Sequence, residues 1–313
     1  MTKPLSIMPK FLWIDIIKYL PTRSAIALSQ THPQFDSMID WEQCYRNRPD
    51  NIAIVFSNTN VPNWKHACIT YVPCCSIKHI LNILQYRLSS MNSNDFCHCV
   101  VTIKGGIYLY DNLNDLFELG HSNCNIEMHG STNKHNRTLI YSTHTEEFIA
   151  TQIKINLPSS FSIHHIDFVD VTCGLINQAN INNSIIIDDC RFTQGKDLLI
   201  AIALLLESVC HITVTNCIFS MDNFGMAMSV VTNNALTLTI DGCQFDSKYV
   251  CTINKKNIEI ANIHIDFTNN TVENCDYIFV CNHDITDIIN CHDDVHRAPI
   301  CWNIVFNMFD NNT

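Results

Sequence analysis

The chain holds only 8 Gly among 313 residues, and only 19 Lys and Arg against 30 Asp and Glu. So few glycines leave little room for a phosphate-cradling loop, and neither a Walker-type nor a dinucleotide-binding Gly pattern occurs. A net charge of −11 lacks the basic footprint of non-specific nucleic-acid binding, so DNA and RNA are not expected partners. Long apolar runs are missing too. The longest, Leu198 to Leu206, lies between Asp197 and Glu207 and is about half of the roughly 20 residues a membrane span requires; it is read as buried core. No basic-then-apolar leader with a small-residue cleavage site opens the chain. The 17 Cys are therefore assigned to a reducing setting, cytoplasmic or nuclear, and not to a secreted disulfide framework.

What is present divides into two textures. From Met8 to Leu20 the apolar residues Met8, Leu12, Trp13, Ile16, Ile17 and Leu20 recur at three- and four-residue steps, the period of one helix face. Pro9 and Pro21 bracket that helix where a missing N–H does least harm. Ser24 is the expected N-cap of a second helix carrying Ile26 and Leu28, ended at Thr31-His32-Pro33. Phe35, Met38, Ile39 and Trp41 suggest a third. Three short helices cannot bury all their apolar surface against one another, so some is expected to face a partner. The competing reading is a helical cap on the larger domain.

The stretch from Met8 to about Trp41 resembles an F-box. Met8-Pro9 stands where the family has its Leu-Pro start, Tyr19-Leu20-Pro21 where it has its Leu-Pro end, and Ser24 and Leu28 fall on its Ser-x-x-x-Leu. Met8 and Phe11 depart from the usual Leu and acidic residue. The resemblance implies docking on a Skp adaptor of a cullin-RING ubiquitin ligase through Pro9, Leu12, Trp13, Ile16, Leu20, Pro21 and Leu28.

The second texture begins near residue 97 as short alternating segments punctuated by Asn, Asp and Ser, the pattern of strands. They share the form apolar-x-apolar-x-(Asn/Asp)-(Cys/Gly)-x-aromatic, clearest in IIIDDCRF at 185–192, ITVTNCIF at 212–219 and LTIDGCQF at 238–245. Weaker copies are read at 101–108, 161–168, 258–265, 278–285 and 302–309. The steps between successive Phe residues 168, 192, 219 and 245 suit a solenoid rung. Leucine-rich repeats need a different Leu frame, and a βαβ stack needs helices that are missing between the strands. The expected fold is mainly β: a right-handed parallel β-helix with Cys190, Cys217 and Cys243 in one interior ladder and Phe192, Phe219 and Phe245 in another. Asp189 and Asn216 would occupy left-handed bends. Residues 76 to 88, with Ile77, Ile80, Leu81, Leu84 and Leu88 on one helical face, would cap the open end. Gly106-Ile107-Tyr108 resembles an opening rung of the pectate-lyase-like, carbohydrate-binding and sugar-hydrolase β-helix family.

The expected organisation is a helical module at 5–48, a linker at 49–74 and the β-helix at 75–313. Asp188-Asp189 resembles the acid pair of polygalacturonases, but that family's Asn-Thr-Asp, Gly-His-Gly and Arg-Ile-Lys companions are missing, so no catalytic residue is assigned. Cys97-His98-Cys99, Cys74-Cys75 and Cys291-His292 with Asp293-Asp294 offer ligand types without zinc-finger spacing; no metal or cofactor is expected. The two resemblances together imply a non-catalytic adaptor that captures an unidentified protein substrate for ubiquitination. The alternatives are a polysaccharide-binding or polysaccharide-cleaving β-helix, and a structural β-helix with a helical cap. Abundant Ile and Asn fit an AT-rich genome, such as that of a large DNA virus or a protist; if viral, the setting would be host cytoplasm.

Overall fold

The computed structural model describes residues 10–17, 19–31, 33–48, 50–57, 64–70, 72–92, 94–110, 114–142, 151–177, 181–194, 200–221, 225–255, 263–281, 289–291 and 301–302. It is a parallel β-solenoid preceded by a few helices. The helices are α1 (Lys10–Ile17), α2 (Thr22–Thr31), α3 (Pro33–Asp36), α4 (Trp41–Arg46), α5 (Trp64–Thr70) and α6 (Ile77–Ser89).

Helix α1 ends three residues before the expected Leu20. The Tyr19 and Leu20 amides bond back only to Ile16 and Ile17, and Pro21 disfavours helical geometry in the residue before it. Helix α2 starts at Thr22, so Ser24 lies inside the helix and is not its N-cap. The expected third helix is two, because the Asp40 carboxylate accepts the Gln43 amide at 2.9 Å and starts α4 anew. Ile17, Ala25, Phe35, Ile39, Cys44 and Tyr45 form the module's own core, with Ala67 and Cys68 of α5.

Within the stretch 49–74, expected as a linker, the described residues include two strands and α5. Strand β1 (Ile52–Ser57) pairs antiparallel with β2 (Val72–Cys74) and with β3 (Cys97–Ile103), the first strand of the solenoid. Its alternation serves two cores: Ile52 and Ile54 join the solenoid interior, while Val55 joins the helical one. Beside it, buried Arg48 donates to the Thr102 carbonyl at 3.0 Å, to Thr102 Oγ1 at 2.6 Å and to the Tyr45 carbonyl at 3.2 Å. Lys104 Nζ in turn donates to the Arg48 carbonyl, so the helical module is seated on the first rung.

From Cys97 to Cys281 each rung gives one strand to each of three sheets. The first rung is β3, β4 (Gly106–Tyr110) and β5 (Asn114–Glu118), and β6 (Cys124–His129) opens the second. The middle sheet has seven strands, and all of its neighbours are parallel. Register stacks like on like. In the first sheet Val101, Met128, Ile163, Ile187, Val214, Ile240 and Phe267 form one inward column. In the middle sheet Phe168, Phe192, Phe219 and Phe245 stack with centroids 5.1, 5.0 and 4.9 Å apart and planes within 6°. The bend before that column is left-handed at His165, Asp189, Asn216, Gly242 and Asn269. The Cys ladder follows it. Cys190, Cys217 and Cys243 are buried and point their thiols at Ile163, Ile187 and Val214 carbonyls, each on the rung before.

Two weak repeat copies were framed wrongly. Tyr277–Cys281 belongs to the third sheet and not to the first, and the first-sheet strand of that region is Ile263–Thr268. Asn270, standing where earlier rungs have Cys, accepts the Cys243 amide at 2.8 Å. The copy at 302–309 lies outside the described residues beyond Trp302. Helix α6 has Ser76 as its N-cap and buries Ile77, Ile80, Leu81, Leu84 and Leu88 in the solenoid core, as its apolar spacing requires.

Candidate functional site

The apolar residues of helix α1 divide between core and solvent at helical spacing. Ile17 is buried, and Trp13 packs edge-on against Phe35 at 4.9 Å. Leu20 and Leu28 are half-buried against the same core. On the other side Leu12 is 40% exposed, Ile16 44% and Tyr19 87%. Pro21 is exposed as well, and Pro9 lies outside the described residues. The seven expected contact residues therefore separate: Leu12, Ile16 and Pro21 are available to a partner, whereas Trp13, Leu20 and Leu28 chiefly hold the module together. Tyr19, which the spacing argument passed over as part of the helix end, is the most exposed of the large apolar side chains in this patch.

The Asp188-Asp189 pair sits at the first bend of its rung. Asp188 Oδ1 accepts Thr215 Oγ1 at 2.7 Å and Asn216 Nδ2 at 3.0 Å from the next rung. Asp241 repeats the arrangement with Thr268 and Asn269, at 2.6 and 2.7 Å. Asp189 adopts a φ of 46° and pairs with His165 at 2.8 Å and Arg137 at 3.2 Å. Arg137 also bonds Asp167 at 2.7 Å. Both carboxylates thus fasten rung to rung.

Beside them runs a row of imidazoles and carboxylates on the outer face of the first sheet. Glu127 accepts from His98 and His129, both at 3.0 Å, and these bonds, His129's first, hold its carboxyl well below the usual carboxylate range. The His129 ring stacks on His164 at 4.7 Å. Burial, then the His129 charge, lowers the His164 pKa.

Of the Cys and His groupings in the sequence, Cys97-His98-Cys99 splits as strand alternation requires. His98 turns to Glu127, and Cys97 and Cys99 turn inward to meet Cys124. The three sulfurs lie within 4.8 Å of one another. The Cys124 and Cys99 thiols pull the Cys97 pKa far below the ordinary thiol range, while the same contacts and burial push Cys99 far above it. Linear spacing could not reveal this cluster, because Cys124 belongs to the next rung and meets Cys97 only through the parallel register. Cys74 is buried, and Cys75 is exposed with its thiol 3.3 Å from His79 Nδ1. Cys291 lies at the edge of a strand whose side chains fall outside the described residues, as do His292, Asp293 and Asp294.

Among the described residues no helix is long and apolar enough to cross a membrane. No family model, no curated protein and no solved structure matches the chain. Its architecture is a β-solenoid carrying a helical module on its first rung, with an apolar helix face turned outward.

Proposed function

We propose that the protein is a two-surface adaptor, its helical module an F-box that docks on the Skp adaptor of a cullin-RING ubiquitin ligase and its solenoid the surface that holds a target. The observation that carries this reading is the exposure of Leu12 and Ile16 on a helix whose opposite side is anchored by Trp13 and Ile17, with exposed Tyr19 just beyond its end. Apolar side chains at one edge of a small module are the raw material of a protein contact. Such an adaptor catalyses nothing itself; it raises the effective concentration of a bound target near a ubiquitin-charged enzyme. The pectate-lyase-like likeness would then reflect shared rung geometry alone. A carbohydrate-cleaving reading needs carboxylates directed at a substrate, and its two best candidates are engaged in inter-rung bonds with Thr215, Asn216, His165 and Arg137.

The test is capture of a purified Skp adaptor by the full chain. Wild type is expected to bind, and Leu12→Asp/Ile16→Asp to lose binding. At these exposed positions the substitutions should change folding stability by no more than about 0.5 kcal/mol. Failure of the wild type to bind, or equal capture by the double variant, would remove the adaptor reading. Crosslinking followed by mass spectrometry of proteins held by the solenoid would then identify the target.

A further inference from the structure

The solenoid interior arranges cysteines in two ways with different chemical consequences. Cys190, Cys217 and Cys243 contribute one thiol per rung along the stacking direction. Such a row cannot converge on one point. Cys97 and Cys99 share the inward face of β3, and Cys124 lies beside Cys97 on β6, which makes a triangle. The Cys97 and Cys99 sulfurs are 3.3 Å apart, and all three side chains are 4% exposed or less.

A triangle of thiolates encloses a place for an ion. Metal–sulfur bonds of about 2.3 Å imply sulfur separations of about 3.8–4.0 Å in trigonal or tetrahedral geometry, inside the range these atoms span. The identity of the ion follows from the fourth position. His121, close enough to Cys97 to interact with it electrostatically, has its Nδ1 accepting the Asn123 amide at 3.2 Å and its Nε2 3.1 Å from the Asn92 carbonyl. With both ring nitrogens engaged, this imidazole is not offered to the triangle, and among the described residues no fourth Cys, His, Asp or Glu joins the three sulfurs. Structural zinc almost always takes four protein ligands, whereas soft thiolate sets without a fourth donor suit monovalent copper.

We propose that Cys97, Cys99 and Cys124 form a buried three-thiolate site for a soft monovalent ion of the copper(I) class. Loading forms three S–Cu bonds and releases to solvent the proton of each sulfur that still carries an S–H bond, with no change of oxidation state. Because the triangle spans the first two rungs under α6, the ion fastens β3 to β6 at the end of the stack where the helical module is seated.

The experiment is anaerobic titration of the full chain with Cu(I) in the presence of bicinchoninate as competing chelator. The wild type is expected to withhold one equivalent, to show three sulfur scatterers by X-ray absorption, and to melt at higher temperature when loaded. Cys124→Ala should lose that equivalent and the thermal shift. Cys217→Ala, which removes an equally buried thiol from the linear ladder, should retain both. Equal Cu(I) retention by Cys124→Ala, no withheld equivalent in the wild type, or a mixed sulfur–nitrogen shell would each overturn the assignment. If circular dichroism shows Cys124→Ala unfolded, Cys97→Ser takes its place, and the wild-type absorption spectrum decides the coordination without any variant.

Discussion

The stacked phenylalanines allow the nearest-neighbour character of the solenoid to be measured. Phe219 is 1% exposed and lies between Phe192 and Phe245, at 5.0 and 4.9 Å with planes 6° and 5° apart. Replacing it by Leu keeps most of the buried volume but removes two aromatic stacks. At about 0.5–1.5 kcal/mol per pair, Phe219→Leu should cost about 1–3 kcal/mol. Phe219→Ala would cost about 3–5 kcal/mol, enough to obscure the stacking contribution behind a cavity. The informative design is a double-mutant cycle in the Leu background. Phe219→Leu with Phe245→Leu removes one shared stack twice, so the pair should be less destabilised than the sum by about 0.5–1.5 kcal/mol. Phe168→Leu with Phe245→Leu involves rings separated by two intervening phenylalanines, and should be additive within about 0.3–0.5 kcal/mol. Urea unfolding followed by far-ultraviolet circular dichroism supplies the free energies of both cycles, valid if all variants share one m-value. Equal coupling in the adjacent and distant pairs would refute the argument that stability here is a sum of rungs and their interfaces.

Arg48→Ala should loosen the helical module, because it removes charged hydrogen bonds to Thr102 and Tyr45 worth about 1.5–3 kcal/mol each while leaving the rungs untouched. Limited proteolysis should then cleave before residue 75 with the strand dichroism of the remainder preserved; unchanged cleavage would show that β1 alone anchors the module. Acid should weaken the fold in two windows. His164 has a folded pKa below its unfolded value, so its contribution is complete above about pH 6.5 and falls as pH drops through that region; Glu127, also depressed, adds a second loss below about pH 4.3. Melting temperature against pH should therefore flatten on the acid side of about pH 6.5 in His164→Gln and of about pH 4.3 in Glu127→Gln. Parallel profiles for wild type and variants would remove the row of histidines as the cause.

Much of the solenoid was legible because its rungs repeat. The Phe192, Phe219 and Phe245 spacing fixed the stacking column, and Asp189 and Asn216 announced the bends at which φ is 46° and 53°. Where the repeat decays the frame slipped, as at 278–285, since alternating apolar residues look alike in every sheet of a solenoid. Strand β1 carried no such signature. Antiparallel pairing of residues 52–57 with 98–103 leaves no period, and a strand buried on both faces lacks the polar alternation that marks a surface strand. On α1 the helical period located the apolar residues but could not say which would be covered; that depended on where Phe35 and Val55 arrive from elsewhere in the chain. The sulfur triangle was hidden for the same reason.

β1 runs against β3, whereas β3 and every later neighbour in that sheet run parallel. Its far side is covered by β2, three residues long with Pro73 at its centre, a position that has no amide hydrogen to give. A parallel stack is in principle an open polymer, able to add the rung of another molecule wherever an edge of matching direction is free. Here the first rung meets a reversed strand and then a proline. In this sheet the polarity of the backbone itself opposes growth at that end, because a parallel rung of another molecule has no free edge of matching direction on β3.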